Sequence, residues 1–309
     1  MYKRINGIQH IGIGVNDMDA SLKFYRKYFG LDIPFFDSVA PAPLMDIYTN
    51  NSTITKRASM VVNLQGGCAM EVIRPTTFEP SPCAFDILPG DLGIFCAQFK
   101  TRDIQRSYEF CKQDPPPFLS EMTSTPHGLK TFFIKDLDGN MFQYVEGDGA
   151  YVDHGHHSMG AVGCSIGVRN INEACNLYSK VLGFDKVVYD HSGEHEDFAS
   201  AWQNSQNVRR VLLTQSNPPG GGFAKVTGQG YIELVQSLDR EPRRIFDDRI
   251  WADNGFVHLG FDVKGMADLG EDLKQQGFGF TCDSNDALDM GNTKVHCTYI
   301  EDRDGTWLE

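Results

Sequence analysis

The sequence contains an internal repeat. Residues 8–15 (IQHIGIGV) and residues 161–168 (AVGCSIGV) are similar in their apolar pattern, and both end in IGV. The agreement continues to a tyrosine fifteen residues and a glycine twenty residues after the third position of each segment: Tyr25 and Gly30 after His10, Tyr178 and Gly183 after Gly163. A repeat of this kind predicts related structural units, with any site built from equivalent positions in those units.

Two looser copies begin near residues 92 and 256, so four modules fill the chain. Each module has the pattern of a strand, then a helix, then several strands, which predicts an α+β fold with two repeated domains. In the first module, alternation over residues 8–15 indicates a half-buried strand. Asn16 or Asp17 is the expected N-cap of the helix that follows, and Gly30 is expected to end it.

The predicted first domain comprises residues 1–147 and the second comprises residues 161–309. Residues 148–160 are rich in Gly, Asp and His and are expected to form a flexible linker. Solvated side chains are the favoured interpretation of its three histidines, because a flexible linker fixes no metal geometry: His154, His156 and His157. Residues 40–57 form a long polar insertion, which is either a lid or pocket wall or an ordinary surface loop.

Charge and composition disfavour several classes of partner. The 28 basic and 41 acidic residues give a net charge of -13, and no basic cluster suited to nucleic acid or an anionic membrane occurs. The eight cysteines are scattered without a Cys-x-x-Cys pair, which favours a reduced intracellular setting. No signal peptide and no long apolar run is recognised. We therefore expect a soluble cytoplasmic protein with a small-molecule substrate, either monomeric or a homo-oligomer.

Each module carries two special positions, one in its first strand and one in its last. In modules two and four, an Asp-x-Asp-Gly turn leads four residues later to a polar side chain inside an apolar strand. Modules one and three end with a single glutamate inside an apolar run. The pairs, from module one to module four, are His10 and Glu71, Ile94 and Gln143, Gly163 and Glu233, and His258 and Glu309.

Four of these positions combine two imidazoles with two carboxylates: His10, Glu71, His258 and Glu309. A buried carboxylate or imidazole is costly unless it is hydrogen-bonded, ligated or functional, and structural hydrogen bonding is the alternative for each residue alone. Four such residues at repeat-equivalent positions favour a shared site. Their donor atoms suit one divalent ion, such as Ni²⁺, Zn²⁺, Fe²⁺, Mn²⁺ or Co²⁺, with open positions for a substrate.

The sequence resembles the vicinal oxygen chelate superfamily, which includes glyoxalase I, bleomycin resistance proteins and extradiol dioxygenases. The resemblance lies in His10 within QHIGIGV, in the FY and LY helices that run into FGL and LGF, and in the two Asp-x-Asp-Gly turns. It implies βαβββ modules whose paired mixed sheets curl into cups. It also implies that the metal ligands are His10, Glu71, His258 and Glu309.

The pairing of modules decides whether these four residues meet. If module one pairs with module two, no cup holds a complete set. If module one pairs with module four, one cup holds all four residues, and the other holds Ile94, Gln143, Gly163 and Glu233. The second arrangement is preferred because the losses at Ile94 and Gly163 then fall in one cup.

The resemblance implies a metal-dependent lyase or isomerase of glyoxalase type, which transfers a proton next to a carbonyl of a chelating substrate. An extradiol dioxygenase and a metal-free binding or resistance protein are the alternatives. Gly163 replaces a dioxygenase ligand, and Gly14 and Pro75 replace residues that contact glutathione in glyoxalase I relatives. Glu309 is the first choice for the catalytic base, and Glu71 is the second.

Strand alternation places three further side chains on the same faces as the two glutamates. Trp307 shares a face with Glu309, and Ala69 and Ile73 share one with Glu71. They are expected to contact the substrate, with core packing as the alternative for Trp307.

Overall fold

The computed structural model describes residues 3–285, 288–289 and 294–309. Modules one and two have these elements: β1 Arg4–Gly14, α1 Met18–Phe29, β2 Ile33–Pro41, a 3₁₀ helix Pro43–Tyr48, β3 Thr55–Val62, β4 Ala69–Pro75, β5 Gly93–Thr101, α2 Ile104–Gln113, β6 Phe118–Leu119, β7 Thr123–Ser124, β8 Lys130–Lys135 and β9 Met141–Glu146. The order of strand, helix and strands is the one that the repeat predicts.

Modules three and four repeat this order with additions. Their elements are β10 Ala161–Gly167, α3 Ile171–Tyr178, β11 Lys186–Gly193, α4 Glu196–Trp202, β12 Val208–Thr214, α5 Ala224–Thr227, β13 Tyr231–Ser237, β14 Gly255–Lys264, α6 Met266–Gln275, β15 Phe280–Asp283, β16 Leu288–Asp289, β17 Lys294–Val295, β18 Thr298–Glu301 and β19 Trp307–Leu308. No helix in the described part of the chain is both long and apolar enough to cross a membrane.

Helix α1 shows how local sequence sets these elements. Asp17 is the N-cap, and its side chain accepts a hydrogen bond from the backbone N–H of Ala20. The helix buries Phe24, Tyr25 and further residues on one face, and it ends at Gly30 in the left-handed conformation with φ 62°. The predicted choice between Asn16 and Asp17 is thereby resolved, and the predicted end at Gly30 is confirmed.

The two outer modules of the chain form one curved mixed sheet, and the two inner modules form another. The first sheet has the order β15-β18-β19-β14-β1-β4-β3-β2 and contains modules one and four. The second has the order β11-β12-β13-β10-β5-β9-β8-β6, with β7 on β8, and contains modules two and three. Antiparallel pairs β1–β14 and β10–β5 join the modules within each sheet. The preferred pairing of module one with module four is confirmed.

A shared apolar core holds the two sheets together. The largest cluster of buried residues draws on both sheets and on α1, α2, α3 and α6. A second cluster fills the cup of the first sheet, and it includes Met45 and Ile54 from the polar insertion. The insertion is thus partly structured and packs into this cup as a wall. A third cluster, which includes Phe198 of α4, fills the cup of the second sheet.

The segment between the two repeats is packed against the protein. The backbone N–H groups of His154 and His156 both donate to Oε1 of Gln65, and the ring of His157 stacks on Phe110 at 3.9 Å. Burial of His157 lowers its pKa to about 3. The expectation of a flexible linker with solvated histidines is therefore wrong for His156 and His157, because side chains of the neighbouring modules bind this segment.

The repeated tyrosines tie each first helix to a turn of the other sheet. Tyr25 donates its hydroxyl hydrogen to Oδ2 of Asp136 at 2.7 Å, and Tyr178 donates to Oδ2 of Asp302 at 2.8 Å. These aspartates begin the two Asp-x-Asp-Gly turns. Burial raises the pKa of both carboxyl groups to about 6. The repeated tyrosine is therefore joined to an Asp-x-Asp-Gly turn by the same hydrogen bond in both places.

We expect Tyr25→Phe and Tyr178→Phe each to lower the free energy of unfolding by about 1–3 kcal/mol, because each removes one of the hydrogen bonds that a buried carboxylate accepts. Urea titrations at pH 7.5, where both aspartates are ionised, measure this change. Tyr151, whose side chain is exposed, provides the control, and Tyr151→Phe should change stability by less than about 0.5 kcal/mol. Equal stability of all three variants would contradict the structural role.

Candidate metal centre

The structure brings the side chains of His10, Glu71, His258 and Glu309 together in the cup of the first sheet. One ligand atom from each residue lies within 4.8 Å of all the others. Among the described residues, this is the one group of His, Cys, Asp and Glu side chains close enough to hold an ion. Both imidazoles are buried, and Glu309 is the more accessible carboxylate, with 26% of its side chain exposed against 11% for Glu71.

Strand register produces this convergence. In the antiparallel pair β1–β14, His10 lies opposite Gly260 and His258 lies opposite Gly12. In the parallel pair β1–β4, Glu71 lies beside Gly12. Glu309 directly follows β19, and its backbone N–H and C=O bond to Leu259 and Phe261 of β14. Three adjacent strands, and the residue that directly follows a fourth, therefore each supply one ligand atom to a single point.

Two glycines make room for the imidazole rings. A Cβ atom at Gly12 would lie 2.3 Å from Cε1 of His258, and one at Gly260 would lie 2.2 Å from Cε1 of His10. Each histidine therefore packs over the glycine of the opposite strand. This role of the glycines was not predicted, although the first strands of modules one and four both contain His-x-Gly.

We expect Gly12→Ala and Gly260→Ala each to weaken metal binding at least about tenfold, because the added methyl group displaces the opposing imidazole. Competition with a chromophoric chelator measures the affinity. Gly279→Ala is the matched control, since nothing lies within 4 Å of a Cβ at that exposed glycine. An unchanged affinity in both variants would show that the rings are not held by this packing.

Hydrogen bonds to the outer ring nitrogens orient the histidines. Oε1 of Gln9 lies 3.1 Å from Nδ1 of His10, and the hydroxyl of Tyr299 lies 3.3 Å from Nδ1 of His258. Tyr299 also donates to Oε2 of Glu309 at 2.8 Å, so its oxygen is free to accept from Nδ1–H of His258. With Nδ1 protonated in each ring, both Nε2 lone pairs face the centre. Gln9 and Tyr299 were not predicted.

The electrostatics favour ionised carboxylates. Burial opposes the charge on Glu71, but the hydrogen bond and charge of His258, with the charge of Lys56, lower the pKa of Glu71. Burial likewise opposes the charge on Glu309, but His10, His258 and Tyr299 hold its pKa well below its usual range. For His10, burial disfavours the charged ring, and the neighbouring carboxylates outweigh this effect and raise its pKa. The centre is therefore a pair of anions facing two imidazoles.

The donor set fits a divalent ion. Nε2 of His258 lies 2.9 Å from Nε2 of His10, 3.3 Å from Oε2 of Glu71 and 3.2 Å from Oε2 of Glu309. Nε2 of His10 lies 3.8 Å and 3.6 Å from the same two oxygens. Ligand atoms that surround one ion at about 2.1 Å are separated by roughly 3.0–3.4 Å. Two ring nitrogens 2.9 Å apart need either a shared proton or a cation between them, and a bound ion would meet this need.

The corresponding point of the second sheet is occupied by a buried arginine. Nε of Arg210 donates to Oε1 of Glu233 at 2.7 Å, and Nη1 donates to Oδ1 of Asp197 at 2.7 Å. Ser165 donates to the other oxygen of Glu233 at 2.6 Å. A guanidinium group thus neutralises the glutamate that is equivalent to Glu71. At this point of the second sheet, the positive charge beside the glutamate is therefore supplied by a side chain of the protein itself.

The register corrects one predicted position in the second sheet. In module four, His258 pairs with Trp307, two residues before the last-strand ligand. In module two, the β5 residue that pairs with the position two before Gln143 is Cys96, not Ile94. Cys96 is therefore the equivalent of His258. Ile94 packs in the core shared by the two sheets. The error arose because apolar alternation does not distinguish registers two residues apart.

The three predicted substrate contacts lie close to the metal centre. Ile73 and Trp307 belong to the apolar cluster in this cup, and Ala69 pairs with His10 across β1 and β4. Trp307 also packs on Tyr48, at 4.9 Å between ring centres, and borders a cavity of about 220 Å³. Contact of these residues with a substrate stays a prediction.

Several known proteins are similar to this one in sequence or in fold. A protein of Bacillus subtilis (strain 168), the uncharacterized protein YwbC, is 24% identical over 147 residues, which are 47% of this chain and 99% of that protein. A crystal structure of a glyoxalase I variant from Zea mays has a TM-score of 0.60 and 16% identity, covering 99% of this chain and 92% of that one. A Bacillus subtilis protein proposed to be a dioxygenase has a TM-score of 0.65 and 12% identity, covering 99% and 85%.

At these identities the structural likenesses show a common fold and nothing further. The family assignment comes from the sequence of each half. The model of the Glyoxalase/Bleomycin resistance protein/Dioxygenase superfamily matches residues 7–144 and again residues 159–309. The chain therefore belongs to the glyoxalase/bleomycin resistance protein/dioxygenase superfamily, with two family units in one polypeptide.

Proposed function

We propose that the protein is a metal-dependent lyase or isomerase that moves a proton on a carbon next to a carbonyl group of a small substrate. The observation that carries this proposal is the convergence of His10, Glu71, His258 and Glu309. Two imidazoles and two carboxylates suit Ni²⁺, Zn²⁺, Fe²⁺, Mn²⁺ or Co²⁺ and leave positions for a substrate. When bound, such an ion supplies Lewis-acid polarisation of a substrate oxygen.

Glu309 is the residue that we assign as the base. Its side chain is more exposed than that of Glu71, so it is nearer to an entering substrate. Tyr299 holds Oε2 by a strong hydrogen bond, whereas Oε1 is contacted by the weakly donating thiol of Cys297 at 3.5 Å. Oε1 is therefore the atom that takes the proton from carbon and returns it.

Glu71 is the second choice for the base. Its oxygens already face His258 and Lys56, and only 11% of its side chain is exposed. Ala69, Ile73 and Trp307 would form the apolar wall that orients the substrate and excludes water from the reacting carbon. The proposed partner is accordingly a small molecule.

Two measurements test the proposal. Elemental analysis of protein purified without added metal should find about one divalent ion per chain. Incubation with α-hydroxy or α-oxo compounds in D₂O should then place deuterium on the carbon beside the carbonyl, detected by mass spectrometry. Ring cleavage of a catechol with oxygen consumption, and no deuterium incorporation, would instead establish a dioxygenase. Ligand binding by metal-free protein without turnover would establish a binding protein.

A further inference from the structure

Lys56 on β3 places its ammonium group beside Glu71, in the wall of the metal centre. Nζ of Lys56 lies 4.0 Å from Oε1 of Glu71, and 18% of the side chain is exposed. The same Nζ lies 5.8 Å from the ring centre of Trp251, and the Trp251 ring is parallel to that of His258, with 6.5 Å between centres. Lys56 therefore belongs to the metal centre, although it is not one of its four candidate ligands.

The ammonium group of Lys56 is partly accessible, and it pairs with Glu71 by charge without a hydrogen bond. Across residues 3–285, 288–289 and 294–309, Nζ of Lys56 makes no hydrogen bond, and a separation of 4.0 Å from Glu71 is too long to be one. Nε1 of Trp251, on the same wall, is also buried without a hydrogen-bond partner. A buried N–H group such as that of Trp251 costs free energy unless an acceptor meets it. Within the described residues, the wall thus presents a cation that makes no hydrogen bond and a buried N–H group that has no acceptor.

The charges of the centre indicate which kind of acceptor is missing. The charges of Glu71 and Glu309 balance those of a divalent ion, so the ammonium of Lys56 leaves the loaded centre with one net positive charge. Aromatic and apolar side chains, including Trp251 and Trp307, fill the surrounding cup. A single negative charge on the ligand would therefore complete the neutrality of a largely buried site.

We propose that Lys56 recognises the carboxylate of a substrate that is an α-hydroxy or α-oxo carboxylic acid. A bound ion would then polarise the neighbouring hydroxyl or carbonyl oxygen of the same acid. A primary ammonium group suits this role, because it is a compact charge on a flexible stem that can turn from Glu71 towards an entering anion. This inference rests on the proposed function, since it assigns the substrate class of the same centre.

The test compares a charged ligand with its uncharged analogue. Mn²⁺-loaded protein is titrated calorimetrically with pyruvate and with methyl pyruvate, and the metal content of each sample is measured. We expect wild-type protein to bind pyruvate about tenfold more tightly than the ester, or better, as a charged hydrogen bond implies. Lys56→Met, which keeps the stem over Trp251, should lose this preference and retain the metal. Lys56→Arg should keep most of it.

Lys186→Met, at an exposed lysine on the other sheet, is the matched control and should bind both ligands as the wild type does. A wild-type protein that holds Mn²⁺ but binds acid and ester equally would overturn the role of Lys56 alone. The same holds for a Lys56→Met variant that keeps the wild-type preference. A wild-type protein that takes up no divalent ion would overturn the proposed function itself, so the two failures are distinguishable.

Discussion

His258→Ala should reduce the affinity for a divalent ion by at least about 100-fold and remove the bound metal from purified protein. The expected size follows from the effect of groups outside the ligand set, which are commonly worth about 10–100-fold in metal affinity. His258 is fully buried, and its Nε2 lies within 3.3 Å of donor atoms from all three other residues. Its removal also brings two ionised carboxylates together without the imidazole between them.

Elemental analysis and chelator competition measure this loss. Glu71→Ala should release the metal as well, because the two residues share one ion. His191→Ala is the control, since His191 lies exposed on β11 of the other sheet and should leave the metal content unchanged. Circular dichroism checks that each variant is folded. A folded His258→Ala protein that retains one tightly bound ion would mean that the metal binds elsewhere.

The sequence alone predicted the repeated architecture and the grouping of the four candidate ligands. The spacing from His10 to Tyr25, repeated from Gly163 to Tyr178, revealed the modules, because equivalent strands and helices must preserve the contacts that join them. A histidine and a glutamate inside apolar strands are conspicuous, since few roles justify their burial. The uneven distribution of these residues among the four modules then indicated that modules one and four share a cup.

The remaining features depend on contacts that no local pattern encodes. Tyr299 lies 41 residues from His258 in the chain and meets it only after β18 and β14 enter one sheet. In the sequence, Lys56 is an ordinary polar residue of an insertion. Only the pairing of β3 with β4 places it beside Glu71. Arg210 is a similar case, since its burial against Glu233 is invisible in the sequence of β12. Long-range register decides each of these positions.

Glu309→Gln should retain the metal and lose turnover by about 10²- to 10⁴-fold, the usual range for removal of a general base. The amide oxygen of glutamine can still ligate an ion and accept the hydrogen bond of Tyr299, but it cannot accept a proton from carbon. The matched variant is Glu71→Gln, which makes the same chemical change at the less exposed carboxylate.

If Glu309 is the base, deuterium exchange at the carbon beside the carbonyl should disappear with turnover in Glu309→Gln and persist, at a reduced rate, in Glu71→Gln. Metal content and exchange rate must be measured on the same samples, because a variant that loses the ion also loses exchange. The reverse pattern would assign the proton transfer to Glu71. Persistence of exchange in both metal-loaded variants would show that neither carboxylate is the base. A base outside the four ligands would then have to transfer the proton.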